Sequence, residues 1–223
     1  MNKKLSLYLI LLLFPTLCAA DTGLYIGAGV GANVLTGNQN TAFHGLDDQL
    51  YPFNYGLKDN APSGEIFAGW GHFWGPYYLG AEALYSFLNS SSEFSSIFGG
   101  RLQETVRTKL KNAYGAAARI GYQLQNNILL YMRVGWESRR ISIDLNDPNN
   151  NFVPLNQGYR SNAFVPGLGM EIKCYNNLFF RLELRSAFHP YKNINVTRSG
   201  GYYTRVNTKP KLHTLLIGLT YRF

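Results

Sequence analysis

Apolar and polar residues alternate one by one in eight segments of the chain. In the first segment, alternate positions from Leu24 to Val34 are aliphatic, and the positions between them are mostly glycine. A period of two is that of a β-strand, whose successive side chains point to opposite faces. One face is apolar and the other mixes glycine with polar or charged residues. The segments predicted to be strands are 23–34, 65–71, 77–87, 111–122, 130–139, 164–172, 180–188 and 214–223.

The connections between these segments are alternately short and long. The short ones lie near Gly75-Pro76, at Gln125-Asn126-Asn127 and at Asn176-Asn177. The long ones cover about Thr36–Pro62, Asn89–Thr108, Asp144–Ser161 and His189–Pro210. Side-chain alternation also fits a β-sandwich, but a sandwich has no reason to alternate its connection lengths. Short periplasmic turns and long surface loops are typical of bacterial outer-membrane proteins. We therefore predict an all-β fold, an eight-stranded antiparallel transmembrane β-barrel with four long extracellular loops.

Aromatic residues gather at both predicted ends of the strands. Those near the short turns and the end of the last strand are Trp74, Tyr77, Tyr78, Tyr122, Tyr175, Tyr221 and Phe223, and those at the opposite level are Tyr85, Phe87, Trp136 and Phe188. The arrangement resembles the two aromatic girdles that membrane barrels place at the lipid–water interfaces. The alternative is that aromatic residues simply favour strands.

The N-terminal residues have the features of an export signal. Lys3 and Lys4 precede an apolar run from Leu5 to Leu17, which is shorter than the ~20 residues that a membrane helix needs. The sequence Cys18-Ala19-Ala20 then offers small residues for cleavage. We therefore predict a cleaved signal peptide at residues 1–20 and one domain, the outer-membrane barrel, at residues 21–223. The alternative is a lipoprotein anchored through Cys18, but the leucine before that cysteine is unlike a lipoprotein signal.

The chain is basic, with a formal net charge of +8, or +6 once Lys3 and Lys4 are removed. A basic protein can bind nucleic acid, but an exported one is expected to meet anionic lipid and no nucleic acid. Seven cations near the predicted outer boundary of the membrane are therefore predicted to contact the phosphates of lipopolysaccharide. They are Arg107, Lys109, Lys111, Arg139, Arg140, Lys209 and Lys211. The alternative is a solvated basic surface.

Six ionisable residues are predicted to point into the barrel at about one depth, counted along each strand from its periplasmic turn. They are Glu82, Arg119, Arg133, Glu171, Arg181 and Glu183. Side chains just fill an eight-stranded barrel, so charges inside it are removed from water and need partners. Three acids and three bases meet that need. We predict an ion-pair network that plugs the barrel, with a gated pore constriction as the alternative.

Three stretches resemble the transmembrane domain of OmpA-like outer-membrane barrels: Asn112–Ile143, Val165–Leu184 and Leu215–Phe223. The resemblance implies that the six charged residues correspond to the inward Glu/Arg/Lys network that fills such barrels. The last strand, with Tyr221 and the final Phe223, is similar to the signal that the barrel-assembly machinery reads. The resemblance also implies the outer membrane of a Gram-negative cell as the location.

No sequence feature predicts a cofactor, a metal or a catalytic site. Gly27, Gly29 and Gly31 alternate in a strand that no helix follows, unlike a phosphate-binding loop. Ser186 and His213 are predicted to face outward on neighbouring strands, as in lipid A deacylases, but they lack a nearby outward carboxylate. The sequence favours a structural or surface-interaction role, such as an adhesin whose loops bind a host or extracellular ligand. The alternatives are a small porin-like channel and, with least weight, a lipid A-modifying enzyme.

Overall fold

The computed structural model describes residues 22–44, 50–98, 101–124, 127–146, 155–197 and 203–223, and the predicted signal peptide at residues 1–20 lies outside them. The described residues form antiparallel β-strands. These are β1 (Thr22–His44), β2 (Leu50–Trp74), β3 (Tyr77–Leu88), β4 (Ser90–Phe98), β5 (Arg101–Leu124), β6 (Ile128–Asn146), β7 (Leu155–Tyr175), β8 (Leu178–Phe188), β9 (Lys192–Thr197) and β10 (Tyr203–Arg222). Within the described ranges, no helix is long and apolar enough to cross a membrane.

Eight of the strands close into a ring. Their order is β1-β2-β3-β5-β6-β7-β8-β10, and β10 pairs with β1 to complete the circle. The strands β4 and β9 lie off the ring, where they pair with β5 and β10. The backbone N–H of Phe223 donates to the carbonyl of Leu24 at 3.0 Å beside the β1–β10 seam. The predicted eight-stranded antiparallel barrel is therefore confirmed, and its closure pairs the two strands that would otherwise be open edges.

The predicted alternation decides which side chains face the lipid. In β3, every second residue from Tyr77 to Phe87 is exposed, and the residues between them are buried. In β10, Leu215 and Ile217 are exposed on the outer surface, while Leu216 is fully buried inside. An outward apolar band of this kind matches the hydrocarbon of a bilayer, and the enclosed positions are free to be polar.

Aromatic rings stand at both ends of this apolar band. At the end of the short turns, Tyr77 and Tyr122 have ring centroids 5.6 Å apart. At the opposite end, the rings of Tyr114 and Trp136 are 6.0 Å apart. Tyr78 differs from the prediction because it follows the inward parity of β3, and its ring is buried in the barrel.

The four long connections are mostly strand. The predicted loop Thr36–Pro62 is a hairpin in which β1 and β2 stay paired as far as His44 and Leu50. The other three long connections contain the β4–β5, β6–β7 and β9–β10 pairings. Above the membrane the outer face meets water and becomes polar, so the apolar outward pattern ends although the backbone still pairs. The extracellular part is therefore built of extended hairpins.

The interior of this extracellular part holds a cluster of apolar side chains beside buried polar ones such as Gln39, Thr108 and Thr208. A buried cluster, here called the upper apolar cluster, consists of Leu35, Leu57, Ala61, Leu88, Leu110, Ile141, Ala163, Val165, Ala187 and Leu212. Leu35 and Leu212 are register partners, and each lies on the extracellular side of the lipid-facing residues of its strand. Burial of these side chains away from water stabilises the extended hairpins.

Candidate functional site

The interior below the upper apolar cluster is filled by charged side chains, and Arg181 is at their centre. Its two terminal nitrogens donate to the two carboxylate oxygens of Glu82 at 2.7 and 3.1 Å. One of them also donates to Glu183 at 2.5 Å. All three side chains have no exposed surface. Because buried charges are costly without partners, this arrangement neutralises each carboxylate by direct hydrogen bonds.

The other three predicted residues surround this centre. Arg119 donates to Glu171 at 2.5 Å and to Glu82 at 3.4 Å. Arg133 makes a longer ion pair, 3.5 Å from an oxygen of Glu183. The structure therefore brings all six predicted interior residues together. Arg222, which the prediction did not include, reaches in from the periplasmic end and donates to Glu171 at 2.5 Å.

A second charged layer lies directly above the first. Arg185 donates to both oxygens of Glu65, one of them at 3.0 Å. Arg185 also lies 3.7 Å from Glu183 in the lower layer and 3.9 Å from Glu137, and Glu137 lies 3.4 Å from Arg139. The two layers therefore form one continuous ion-pair network. Its members are Glu65, Glu82, Arg119, Arg133, Glu137, Arg139, Glu171, Arg181, Glu183, Arg185 and Arg222.

Aromatic rings support the arginines of the lower layer. The guanidinium of Arg119 lies 3.9 Å from the centroid of the Tyr131 ring, and the hydroxyl of Tyr131 donates to Glu183 at 2.8 Å. The guanidinium of Arg181 lies 4.2 Å from the centroid of the Phe67 ring. Stacking on a ring holds a guanidinium in place while its edges bind carboxylates.

Inward glycines make room for these rings. Gly169 faces Tyr131 as its register partner on β7, and a methyl group at Gly169 would overlap the tyrosine ring. Gly69 is placed in the same way against the ring of Tyr25. Glycine on the inner face is therefore a requirement of packing, which explains why it alternates with apolar residues in the sequence.

The network compensates its own charges. Each of its carboxylates is paired with arginine, and most of its side chains are enclosed. Among the described residues, no group of three or more His, Cys, Asp and Glu residues could hold a metal ion. Fixed arginine–carboxylate pairs also leave no carboxylate free to act as an acid or a base. The interior therefore contributes packing and charge compensation.

Two of the predicted lipopolysaccharide contacts already have anionic partners within the protein. Arg107 lies 3.0 Å from Glu93 on the neighbouring strand β4. Lys109 lies 2.5 Å from Asp144 on β6. An intramolecular carboxylate satisfies each charge and competes with a lipid phosphate for it. These two residues are outside the barrel but are not free cations.

Arg139 is a correction to the sequence prediction. Its side chain is 1% exposed and lies inside the barrel, where it donates to the carbonyl of Lys111 at 2.7 Å and to Glu137 at 3.4 Å. It cannot reach a lipid phosphate, because the sheet itself separates it from the outer surface. The prediction chose Arg139 because it lies near the membrane boundary. The alternation of β6 places odd-numbered residues inside the barrel at this level, so the prediction was wrong for Arg139.

The remaining four predicted contacts face outward on two separate walls of the barrel. Lys111 and Arg140 are exposed on β5 and β6. Lys209 is exposed on β10, and Lys211 is half-buried there with its ammonium 5.9 Å from the centroid of the Phe188 ring. Contact of these residues with lipopolysaccharide stays a prediction.

Ser186 and His213 face outward and are bonded to each other. The Ser186 hydroxyl oxygen lies 2.8 Å from Nδ1 of His213, and the two residues are register partners on β8 and β10. Within the described part of the chain, His213 has no hydrogen bond or ion pair to an Asp or Glu. A catalytic serine–histidine pair normally has a third group that orients the histidine. The Ser186 hydroxyl and Nδ1 of His213 therefore satisfy each other on the outward face.

The comparison with protein families agrees with this geometry. The sequence profile described as "Outer membrane protein beta-barrel domain" matches residues 6–223. The chain belongs to this family. The location of this outer-membrane barrel in the cell outer membrane follows from the family and from its apolar outer band. No curated protein sequence matches the chain significantly.

Solved structures of other outer-membrane proteins share the fold. The outer membrane protein OprG from Pseudomonas aeruginosa has a TM-score of 0.61 at 14% identity, covering 91% of this chain and 97% of that one. The outer membrane protease OmpT from Escherichia coli has a TM-score of 0.54 at 10% identity, covering 89% and 97%. Neisserial surface protein A has a TM-score of 0.51 at 12% identity, covering 90% and 97%. One of the three is a protease, so the fold alone does not decide whether this barrel is an enzyme.

The sequence contained a signal for the network members that the prediction missed. Glu65, Glu137 and Arg185 occupy the same inward parity as Glu82, Arg133 and Arg181, close to them along the strands. The prediction restricted the network to one depth and so excluded them. A count of all inward charges along each strand would have found the upper layer.

Proposed function

We propose that this outer-membrane barrel is closed and acts through its outer surfaces, in a structural or surface-interaction role. The observation that carries the proposal is the filling of its interior. The charged network occupies the membrane level, and the upper apolar cluster occupies the level above it. Each layer is built of buried side chains from opposite sides of the ring, which opposes a continuous path of water.

The extended hairpins are the surfaces through which such a barrel would meet an external partner. Their backbone is paired far above the aromatic level, to His44–Leu50 on one side and Tyr203–Thr197 on another. Paired strands hold a binding surface more rigidly than free loops, which lowers the entropy lost when a partner binds. An adhesin that binds a host or extracellular ligand is the form of surface interaction that we propose.

A conductance measurement tests the closed barrel against the alternative of a porin-like channel. Protein purified from outer membranes and inserted into planar bilayers is expected to give no stable current steps. The variant Arg133→Ala is expected to give no current steps either. Removing the Arg133 side chain opens space only in the charged layer. The upper apolar cluster, with Leu110, Ile141 and Leu212, still excludes water above that layer.

The heat-dependent shift in gel migration that marks a folded barrel serves as the control for each preparation. Reproducible current steps from folded wild-type protein would overturn the closed barrel and favour the channel. Steps from Arg133→Ala alone would show that the charged layer is the only barrier. That result would contradict the role assigned to the upper apolar cluster.

We further propose that the barrel is not an enzyme, although the Ser186–His213 hydrogen bond gives one specific reason to test this. Cells that express the wild-type protein, Ser186→Ala or His213→Ala are expected to have identical lipid A by mass spectrometry, the same as cells without the protein. The reason is that, in the part of the chain that the structure describes, no carboxylate is bonded to His213 to orient it. Loss of an acyl chain in wild-type cells, with recovery in either variant, would assign a lipid A deacylase instead.

A further inference from the structure

We propose that the wall formed by β3, β5, β6 and β7 carries a site for one phosphorylated lipid of the outer leaflet, with the phosphate among Lys111, Arg140 and Arg160 and an acyl chain in the groove below them. The lipid chemistry that fits is lipid A, a glycolipid with phosphates and several acyl chains. The site lies on the outer surface, so it is independent of whether the barrel conducts. Its failure and that of the closed barrel are therefore distinguishable.

The three cations are close together on the outer surface. Arg140 and Arg160 are direct register partners on β6 and β7, and both are exposed. Lys111, on the neighbouring strand β5, lies beside Arg140. Among the described residues, no carboxylate is paired with any of the three. Like charges placed opposite each other on a sheet are destabilising, so this arrangement favours an anion between them.

A β-bulge points Lys111 outward. The register between β5 and β6 shifts between Leu110 and Ala113, so that Lys111 and Asn112 together face one position beside Arg140. Both bulge residues are exposed. Without the extra residue, alternation from Ala113 would place Lys111 inside the barrel. Bulges often redirect a side chain in this way.

Hydrogen bonds from both sides hold the bulge in place. From inside the barrel, the buried Arg139 donates to the carbonyl of Lys111 at 2.7 Å. On the outer surface, the side chain of Asn112 accepts from the backbone N–H of Leu88 at 3.2 Å and donates to the hydroxyl of Tyr85 at 3.1 Å. The cationic position is therefore preorganised, which reduces the cost of ordering it on binding.

The cations surround a pocket of about 420 Å³. Its lining includes Lys111, Asn112, Arg140 and Arg160 as polar groups and Tyr114 as an aromatic wall. The guanidinium of Arg160 lies 5.1 Å from the centroid of the Tyr114 ring, which orients it over the pocket. Arginine and lysine bind phosphate well, arginine with two parallel hydrogen bonds.

A groove of small side chains continues the pocket into the membrane. On the lipid-facing side of β3 and β5, Ala81 pairs with Ala118 and Ala83 pairs with Ala116. The groove is an open depression of about 660 Å³ and is bounded by Trp136 and by Phe164. Since the ring of Trp136 contacts that of Tyr114 in the pocket above, the two depressions follow each other down one wall. A charged end at the interface and an apolar end in the hydrocarbon match a phosphorylated lipid.

Lipid binding to matched variants tests the site. Protein purified from outer membranes in detergent is titrated with lipid A that carries two phosphates, and bound lipid is measured by native mass spectrometry. Arg140→Gln/Arg160→Gln is expected to weaken binding by about 10- to 30-fold, since each cation near the membrane surface contributes about 1 kcal/mol. Lys209→Gln/Lys211→Gln removes the same charge from β10, which β8 separates from β7, and is expected to change binding less than about 2-fold. The heat-dependent shift in gel migration confirms that each variant is folded.

Three further arms identify the occupant. Ala116→Phe fills the groove and is expected to weaken lipid A binding, while Ala28→Phe on the lipid face of β1 is its matched control. Lipid A without phosphates is expected to bind at least about 10-fold more weakly. Inorganic phosphate at millimolar concentration is expected not to displace lipid A, because it lacks the apolar part.

Several outcomes would overturn the proposal. If Arg140→Gln/Arg160→Gln and Lys209→Gln/Lys211→Gln weakened binding equally, lipid A would bind a general basic surface and not this site. If Ala116→Phe bound lipid A as well as the wild type, the acyl chain would not lie in the groove. If Ala116→Phe instead abolished a dimer of the barrel and left lipid binding unchanged, the groove would belong to a second copy of this chain.

Discussion

Replacing Arg181 by methionine is expected to lower the free energy of unfolding by about 3–5 kcal/mol, the range for breaking a buried ion pair from one side. Methionine fills much of the space of the arginine stem but supplies no donor. Glu82 would lose its two shortest hydrogen bonds, and Glu183 would lose its bond at 2.5 Å. The measurement is urea unfolding of the barrel in lipid vesicles, followed by tryptophan fluorescence.

Arg133→Met is the matched control for this prediction. Arg133 is as deeply buried as Arg181, but its pair with Glu183 is longer at 3.5 Å. We therefore expect a smaller loss of stability than for Arg181→Met. Equal losses in the two variants would mean that burial of the arginine stem, and not the hydrogen bonds, determines the cost.

A double variant separates the lost charge pair from lost packing. Adding Glu82→Gln to Arg181→Met removes the carboxylate that would be left without its main partner, while Arg119 keeps its bond to Glu171. We expect the double variant to be more stable than the sum of the two single changes predicts, by about 1–3 kcal/mol. Strict additivity would show that Arg181 and Glu82 are not energetically coupled, contrary to their geometry.

The sequence was sufficient to predict the ring and the face of most residues, because a strand that crosses a membrane must alternate. Glu82 and Arg119 were assigned to the interior by parity alone, and the structure places them 3.4 Å apart. Parity gives the face of a residue but not its partners. The upper layer around Arg185 therefore escaped the prediction, although its residues have the same inward parity.

Two features could not be read from alternation, for different reasons. The extended hairpins keep their backbone pairing where the outer face is wetted, so no apolar pattern marks them. The bulge at Lys111 and Asn112 adds one residue to β5 and reverses the parity of everything beyond it. Nothing in the local sequence specifies this extra residue. Its position is fixed by contacts from distant strands, among them the bond from Arg139.

Replacing Gly169 by alanine is expected to destabilise the barrel by about 1–3 kcal/mol, the usual cost of overpacking a well-filled core. The added methyl group would overlap the ring of Tyr131. That ring stacks on Arg119, and its hydroxyl donates to Glu183. Moving it would therefore disturb two ion pairs as well as packing. The same urea unfolding measurement in lipid vesicles determines the change.

Gly64→Ala is the control, because the nearest atom to its added methyl group is a ring carbon of Phe87 at an ordinary 3.8 Å. It is expected to be neutral or to stabilise by up to about 1 kcal/mol, since alanine restricts the unfolded chain. If the overlap with the ring is the cause, Tyr131→Leu should relieve it. Adding Gly169→Ala to Tyr131→Leu should then cost much less than adding it to the wild type. An equal cost in both backgrounds would place the strain in the backbone of β7, and the inward glycines would no longer be explained by the rings that they face.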